Sequence, residues 1–430
     1  MLRSHKRSGR RWVGVELLSP AGNLEKLRLA FAYGADAAYL GLSDFSLRSN
    51  AKNFTTDDLE QVRALKAGSG KRLYCTLNML FDEANLALLK EQLPVIKTWP
   101  FDAFIISDIG LVPLLQDALG PSVELHLSTQ ASCTNSSSAS MYQKMGFRRV
   151  ILGRETPLED IRRIKDANPD LELEVFVHGA MCMAYSGRCL LSSHLTGRSA
   201  NQGDCSHTCR WNYQLLQSGE MALEEEQRKG VYYPVIEQDG YTTILSSKDL
   251  CMIDHLQQLV DCGVDSLKIE GRMKSSYYVA VVTRAYRKAL DALQTGDENW
   301  KTFRQDLFDI SHREYSTGFF FGHGPVDPAM GQGIDKSTEQ GYLRNYLFCG
   351  FIGTQVEPGI FALELKNQIR KGMTIEYISS DVHHIEDDCF CLLDEHLQPI
   401  EQADHGKVQY LKTDKSIQTG YIIRRETVVK

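Results

Sequence analysis

No run of apolar residues in this chain approaches the roughly 18–20 that a membrane helix needs, and its opening residues lack the apolar stretch of a secretory leader. Both absences point to a protein of the cytoplasm with no membrane partner. The short motifs that announce common chemistries are missing too. There is no H-E-x-x-H of a zinc peptidase, no G-x-S-x-G nucleophile elbow, no phosphate-binding P-loop, and no G-x-G-x-x-G after the first predicted strand. No fixed-period repeat of solenoid type runs through it. A surplus of positive charge is also lacking. The net charge is −7, which excludes nonspecific attraction of the whole molecule to polyanions.

What is present is ordinary globular usage. Of 430 residues, 43% are hydrophobic and 24% charged, which suits one large domain and a smaller one. Cysteine is plentiful at eleven. An odd count without a leader suits a reducing compartment, where thiols are free or bound to metal. Basic residues gather at the start. MLRSHKRSGRRW sets Arg3, Lys6, Arg7, Arg10 and Arg11 before Trp12. Such an arm can grip phosphates and stack on a base, or it is a solvated tail.

From residue 15 one pattern recurs: a short apolar run ending in small or polar residues, then an amphipathic stretch. The runs are VELLSPAG (15–22), AAYLGL (37–42), LYCTLNML (73–80), AFIISDIG (103–110), ELHLSTQASC (124–133), RVILGRE (149–155), LEVFVHGA (173–180) and SLKIEGR (266–272). Helical stretches such as NLEKLRLAFAYG lie between them, so the pattern predicts βαβ units and a parallel sheet. Eight strands predict an α/β fold of the TIM-like (β/α)8 barrel type, with a doubly wound open sheet as the alternative. Polar groups at the strand ends favour the barrel: Asn78, Asp108, Gln130, Arg154, Glu155, His178, Glu270 and Arg272. A barrel converges such ends on one mouth.

The expected organisation is a basic arm over 1–14, a barrel over 15–335 and a small C-terminal β-barrel over 336–430. A cysteine-rich insertion follows strand 7 over about 180–263. Its middle, GEMALEEEQRKG, reads as a solvated hairpin tip or a mobile insert. KSSYYVAVVTRAYRKALDALQTG after the eighth strand reads as a long helix. The C-terminal part is read from short β-type runs with turns between them.

The insertion opens with HGAMCMAYSGRCLLSSHLTGRSANQGDCSHTCRW, which holds Cys182, Cys189, Cys205 and Cys209. Zinc prefers C-x2–4-C knuckles, and only the last pair suits that. Four thiolates on a longer glycine-bearing loop also suit a [4Fe–4S] cluster. Buried thiols packing as small hydrophobes are the plain alternative. Cys251 is a possible fifth ligand or a replacement for one of the four, or else a buried helix cysteine. Cys75 and Cys133 fall in predicted strands. Cys389 and Cys391, a C-x-C pair too tight for ordinary chelation without partners, are read as structural. His178 lies four residues before Cys182, so a Cys–His nucleophile pair is conceivable if Cys182 is free.

The segments ELLSPAGNLEKLRLAFAYGADAAYLG, LSTQAS, EVFVHGAMCMAYSGRCLLSSHLTGR, NQGDCSHTCRWNY and SLKIEGRMKSSYYVA resemble the collagenase-like peptidase family of unassigned catalytic type. The likeness spans nearly the whole chain. It is strongest to the branch implicated in making 5-hydroxyuridine at the tRNA wobble position, by a route that depends on prephenate and iron–sulfur assembly. The resemblance implies a tRNA substrate, prephenate as co-substrate, an electron-transfer partner, and a [4Fe–4S] cluster on Cys182, Cys189, Cys205 and Cys209. Relatives draw their fourth cysteine from different places. The basic arm and the acidic insert near 219–229 have no match in the family pattern, and the peptidase label finds no catalytic constellation in this sequence.

Given prephenate, Arg154 and Arg272 are the expected grip on its two carboxylates. Gln130 and Asn78 are expected to orient a base or a carboxylate. Lys268 and Glu270 alternate with Ile269 and so share one side of their strand. They are either an acid/base pair or an interior salt bridge. Glu174 is a supporting anchor or a strand-start charge.

Overall fold

The computed structural model describes residues 14–42, 53–181, 186, 221–224, 232–238, 241–243, 248–322 and 343–427. Cys182, Cys189, Cys205 and Cys209, the basic arm through residue 13 and much of the acidic insert lie outside the described residues.

Eight parallel strands close into a barrel. They are β1 (Glu16–Pro20), β2 (Ala37–Leu40), β3 (Arg72–Leu77), β4 (Ala103–Ile106), β5 (Glu124–Leu127), β6 (Arg149–Ile151), β7 (Glu172–Ala180) and β12 (Ser266–Ile269). Each pairs with the next, and β12 pairs with both β7 and β1. All eight coincide with the apolar runs of the sequence, as strands buried on both faces must. Between them run α1 (Leu24–Ala32), α2 (Leu59–Lys66), α3 (Glu83–Ile96), α4 (Leu111–Leu119), α5 (Ser136–Lys144), α6 (Leu158–Ala167) and α7 (Leu256–Asp261). The long α8 (Ser276–Thr295) starts where the Ser275 hydroxyl accepts from the Tyr278 amide. It stops at Gly296, whose φ of +72° suits a residue without a side chain.

The excursion between β7 and β12 contains structure of its own. β8 (Met221–Glu224), β9 (Tyr232–Gln238) and β10 (Tyr241–Thr243) form an antiparallel sheet, so the stretch read as a hairpin tip supplies one of its strands, β8. The chain returns through β11 (Asp249–Cys251), which pairs antiparallel with the end of β7. Cys251 therefore lies on a strand opposite His178, not on the helix its apolar setting suggested. The cause is edge pairing: β7 runs nine residues, longer than its partner β12, and its free end offers a ladder. Buried Asp249 anchors the return, accepting from the Arg313 guanidinium at 2.7 Å and from the Arg313 amide at 3.1 Å. α9 (Trp300–Asp309) and β13 (Tyr315–Ser316) follow, and β13 pairs with β11.

The lower half of the barrel interior is ionic. Glu16, Tyr74, Arg149, Glu174, Ser266 and Lys268 meet there. Arg149 reaches Glu16 at 2.5 Å and Glu174 at 3.0 Å, and Lys268 reaches Glu174 at 2.8 Å. Tyr74 and Ser266 hydroxyls donate to Glu16 at 2.5 and 2.8 Å. Glu174 is wholly buried. Burial alone pushes its carboxyl up, but the charges of Lys268 and Arg149 outweigh that and hold it below the usual carboxylate range.

The C-terminal part is an antiparallel domain. Its eight-stranded sheet consists of β14 (Tyr346–Glu357), β15 (Ile360–Leu365), β17 (Ile375–Ile378), β18 (Ile385–Asp387), β19 (Cys391–Leu393), β20 (Pro399–Ile400), β22 (Tyr410–Lys412) and β23 (Ile422–Glu426). β16 (Ile369–Arg370) pairs with β21 (Gln402–Ala403). Residues such as Ile352, Tyr377, Leu392 and Ile423 form its separate core. It docks on α8 and α9 through buried charge. Asp306, 1% exposed, binds Arg284 at 2.6 Å and Arg424 at 2.8 Å. Arg284 also donates to the carbonyls of Ser379 and Val382, and Tyr277 stacks flat on Phe348.

Candidate functional site

The residues just past the barrel strands converge on the C-terminal mouth, the face where barrel enzymes carry their chemistry. Two arginines enter from different strands. Arg154, after β6, lies with its guanidinium 4.0 Å from the centre of the Phe176 ring and binds Glu270 at 3.0 Å. Arg272, after β12, crosses toward β3. It donates to the Thr76 hydroxyl at 2.9 Å and lies 5.9 Å from the Tyr39 ring centre. Stacking on an aromatic face while holding a hydrogen bond fixes a guanidinium plane before any ligand arrives.

The backbone approach that allows this is visible in the first βα turn. A Cβ on Gly22, in the SPAG run, would sit 2.2 Å from the Arg272 carbonyl oxygen. That same oxygen accepts from Lys26 at 2.9 Å. Larger residues at position 22 would push Arg272 out of place.

On the β3–β6 side, the Asn78 amide nitrogen lies 3.5 Å from the Ser128 hydroxyl. The backbone N–H of Gln130 donates to the same hydroxyl at 3.2 Å within a short helical turn, Thr129–Ala131. Glu155 takes the Ser186 hydroxyl on one oxygen at 3.1 Å. Its other oxygen, the Asn78 side-chain oxygen and the Thr156 hydroxyl are buried with no partner among the described residues. Orphaned polar atoms are costly in a finished core and are expected where a ligand completes the bonding.

Lys268 in β12 and Glu270 just past its end engage different layers. Lys268 bonds Glu174 in the floor, the interior salt bridge rather than a free acid/base group. Glu270 stands one layer higher with Arg154. Lys268 is also 4.5 Å from the Tyr39 ring centre, so aromatic Tyr39 and Phe176 separate the ionic floor from the mouth. Sequence reading missed both rings, although the parity of Glu174 and Phe176 along β7 carried the signal.

His178 is displaced from its expected position. A β-bulge shifts the β7–β12 register, so Lys268 faces Phe176 while Ile269 faces His178. His178 thereby joins the outward parity of Ile269. Its ring sits among Tyr278 and Tyr286 of α8 and Tyr315, at 5.3–5.9 Å between centres. Burial pushes its pKa down to about 3. The imidazole is held neutral and packs as a ring among the three tyrosines, while Cys182, its suggested partner, lies outside the described residues.

A (β/α)8 barrel with an arginine-bearing polar mouth, a cysteine-rich insertion leaving its seventh strand and a docked antiparallel domain is the class these features define. Comparison with known proteins places it further. Residues 22–328 match peptidase family U32 and residues 344–424 match the peptidase family U32 C-terminal domain, and the chain belongs to that family. It is 34% identical over 419 residues to tRNA hydroxylation protein P1 of Bacillus subtilis, covering 95% of this chain and 94% of that one. It is 36% identical to tRNA hydroxylation protein P of Escherichia coli, covering 85% of this chain and 86% of that one. It is also 30% identical to a protein named collagenase from Porphyromonas gingivalis, covering 71% of this chain and 73% of that one. No described helix is long and apolar enough to cross a membrane.

Proposed function

We propose that this protein is an RNA-modifying enzyme that converts wobble uridine of tRNA to 5-hydroxyuridine, with prephenate as co-substrate and a [4Fe–4S] cluster on the cysteines of the insertion. The names of the full-length relatives support tRNA hydroxylation. The observation that carries the site is the mouth itself: two arginines from different strand ends, each pre-set over an aromatic ring. Planar forks of that kind suit a compact dicarboxylate. Arg154 and Arg272 would each take a carboxylate. Glu270 would hold the Arg154 fork in plane, and Asn78 and Gln130 would orient a carboxylate or the base. Lys268 would fix the floor through Glu174.

Cys182, Cys189 and Cys205 would hold the cluster, with Cys209 or Cys251 as the fourth ligand. Thiolates are the donor set such clusters take, and the segment leaves the barrel at Met181, at the end of β7. Bound there, a cluster supplies one-electron redox chemistry. The peptidase reading is weaker because the structure supplies no activated nucleophile among the described residues, and His178 points away from the mouth.

The test is anaerobic purification followed by reaction with defined tRNA, prephenate and candidate oxidants, read by nucleoside mass spectrometry. Cys182→Ser, Cys189→Ser and Cys205→Ser should each lose iron and 5-hydroxyuridine together. Zinc in place of iron, or full hydroxylation by iron-free protein, would overturn the reading. Iron retained with no hydroxylation under any condition would make the protein a cluster scaffold for another enzyme.

A further inference from the structure

The backbone that carries Glu270 and Arg272 lies just past β12, and side chains from three other elements hold it there. The Tyr39 hydroxyl of β2 donates to the Ile269 carbonyl at 2.9 Å. The Tyr278 hydroxyl, in the first turn of α8, donates to the Glu270 carbonyl at 2.9 Å. Lys26 of α1 donates to the Arg272 carbonyl at 2.9 Å. Both tyrosines are buried, so their bonds lie where an unmade one is costly.

The Tyr278 hydroxyl reaches its carbonyl past two residues without side chains. A Cβ on Gly179 of β7 would lie 2.7 Å from the Glu270 carbonyl oxygen and 3.0 Å from the Tyr278 hydroxyl. A Cβ on Gly271 would lie 2.6 Å from the Tyr278 ring. Both glycines have positive φ, +106° and +155°, which favours the absence of a side chain at each. The carboxylate of Glu270 takes its aim from this same backbone. One oxygen accepts the Gly271 N–H at 3.1 Å and the other binds Arg154 at 3.0 Å.

We propose that Tyr278 and Lys26 are positioning residues of the anion site. Tyr278 sets Arg154 through the backbone and carboxylate of Glu270, and Lys26 sets Arg272 through that residue's own carbonyl. The proposal rests on the reading of the mouth as a dicarboxylate site. A buried carbonyl that loses its donor turns toward another partner, and the side chain beyond it turns too. Displacement of a binding group by about an ångström is enough to lower activity by orders of magnitude.

The experiment uses the full-length variants Tyr278→Phe and Lys26→Met. Tyr377→Phe is the structural control, because it loses a buried hydroxyl bond to Asp387 at 2.7 Å in the other domain. Ligand-free protein is treated with phenylglyoxal, and modified arginines are mapped by mass spectrometry. The Arg154 side chain is 13% exposed and Arg272 is 3% exposed, so the reagent reports departure of either guanidinium from its place. Tyr278→Phe should speed modification of Arg154 about tenfold, and Lys26→Met should do the same for Arg272, as the loss of one buried bond permits. Tyr377→Phe should change neither. Calorimetric titration with prephenate should show about tenfold weaker binding in Tyr278→Phe, and little further loss when that change is added to Arg154→Lys. Unchanged arginine reactivity in both variants would overturn the proposal. So would equal acceleration in the control, or losses of affinity that multiply in the double variant. Parent protein that fails to bind prephenate would refute the co-substrate, while the arginine reactivities would still decide the roles of Tyr278 and Lys26.

Discussion

Replacing Glu174 by Gln strikes the ionic floor at its centre. The carboxylate is wholly buried and serves two cations, Lys268 at 2.8 Å and Arg149 at 3.0 Å. Glutamine keeps the shape and removes the charge. Arg149 retains Glu16 and Glu172, but Lys268 loses its bonded carboxylate within a barrel interior that excludes water. Removing one member of a buried pair costs about 3–5 kcal/mol, because the other charge stays buried without compensation. Domains of 150–250 residues lose roughly 2–4 °C of Tm per kcal/mol, so Glu174→Gln should melt on the order of 10 °C lower by circular dichroism. Lys268→Met should cost less, since Glu174 keeps Arg149. The double variant Glu174→Gln/Lys268→Met should be more stable than Glu174→Gln alone, by about 2 kcal/mol, because it buries no orphan cation. A Glu174→Gln protein melting within about 2 °C of the parent, or a double variant no better than the sum of the singles, would refute the floor as a tightly coupled layer. Hydroxylation retained by Lys268→Met below its lowered Tm would assign Lys268 to structure.

Three further outcomes are expected. Arg154→Lys keeps charge but loses the planar fork over Phe176, so use of the proposed co-substrate prephenate should fall at least tenfold with little change in Tm; normal kinetics would place the anion site elsewhere. Acid should unfold the barrel progressively. Burial pushes the Glu124 carboxyl up, but His126 and Arg72 outweigh it and bring it to about 2; Glu16 and Glu174 are also held low. Groups depressed on folding contribute stability above their unfolded pKa of 4.5 and lose it as pH falls toward the folded values, so urea midpoints should be flat above pH ~5 and drop from there toward pH 2; a flat profile to pH 3 would contradict this. Deleting residues 1–11 should weaken tRNA binding and reduce the log–log salt slope by somewhat under ~1 for each lost phosphate contact. Equal affinity and slope at two salt concentrations would mark the arm as a solvated tail.

The barrel was legible because its strands are buried on both faces, which leaves eight continuous apolar runs that no other element imitates. The arginines were legible because strand ends are where polar residues have no packing reason to follow an apolar run. Local irregularity was not legible. One extra residue in the β7 ladder turns His178 from the mouth to the tyrosines of α8, and nothing in EVFVHGA announces it. Cys251 was misplaced for a related reason: a three-residue strand has no period, and its pairing depends on the overhang of β7. Cys389 and Cys391 were taken as structural because C-x-C is too tight for ordinary chelation without partners; both thiols are exposed, and Phe390 between them fills the core there. The ionic floor was half legible. Lys268 and Glu270 share a side by parity, but the partner that decides Lys268 is Glu174, distant in sequence.

The buried aspartate that joins the two domains limits how the protein can be taken apart. Asp306 belongs to the barrel side, Arg424 to the last strand, and Arg284 spends its guanidinium on carbonyls of the far domain. Expressed alone, the barrel would expose Arg284 and the flat face of Tyr277, and the small domain would carry Arg424 with Glu376 as its remaining carboxylate. Chimeras between relatives would therefore have to exchange Asp306, Arg284 and Arg424 as one set. The joint is a lock shared by three positions, one of them more than a hundred residues from the other two, and it makes the whole chain, rather than either half, the unit that can be transplanted.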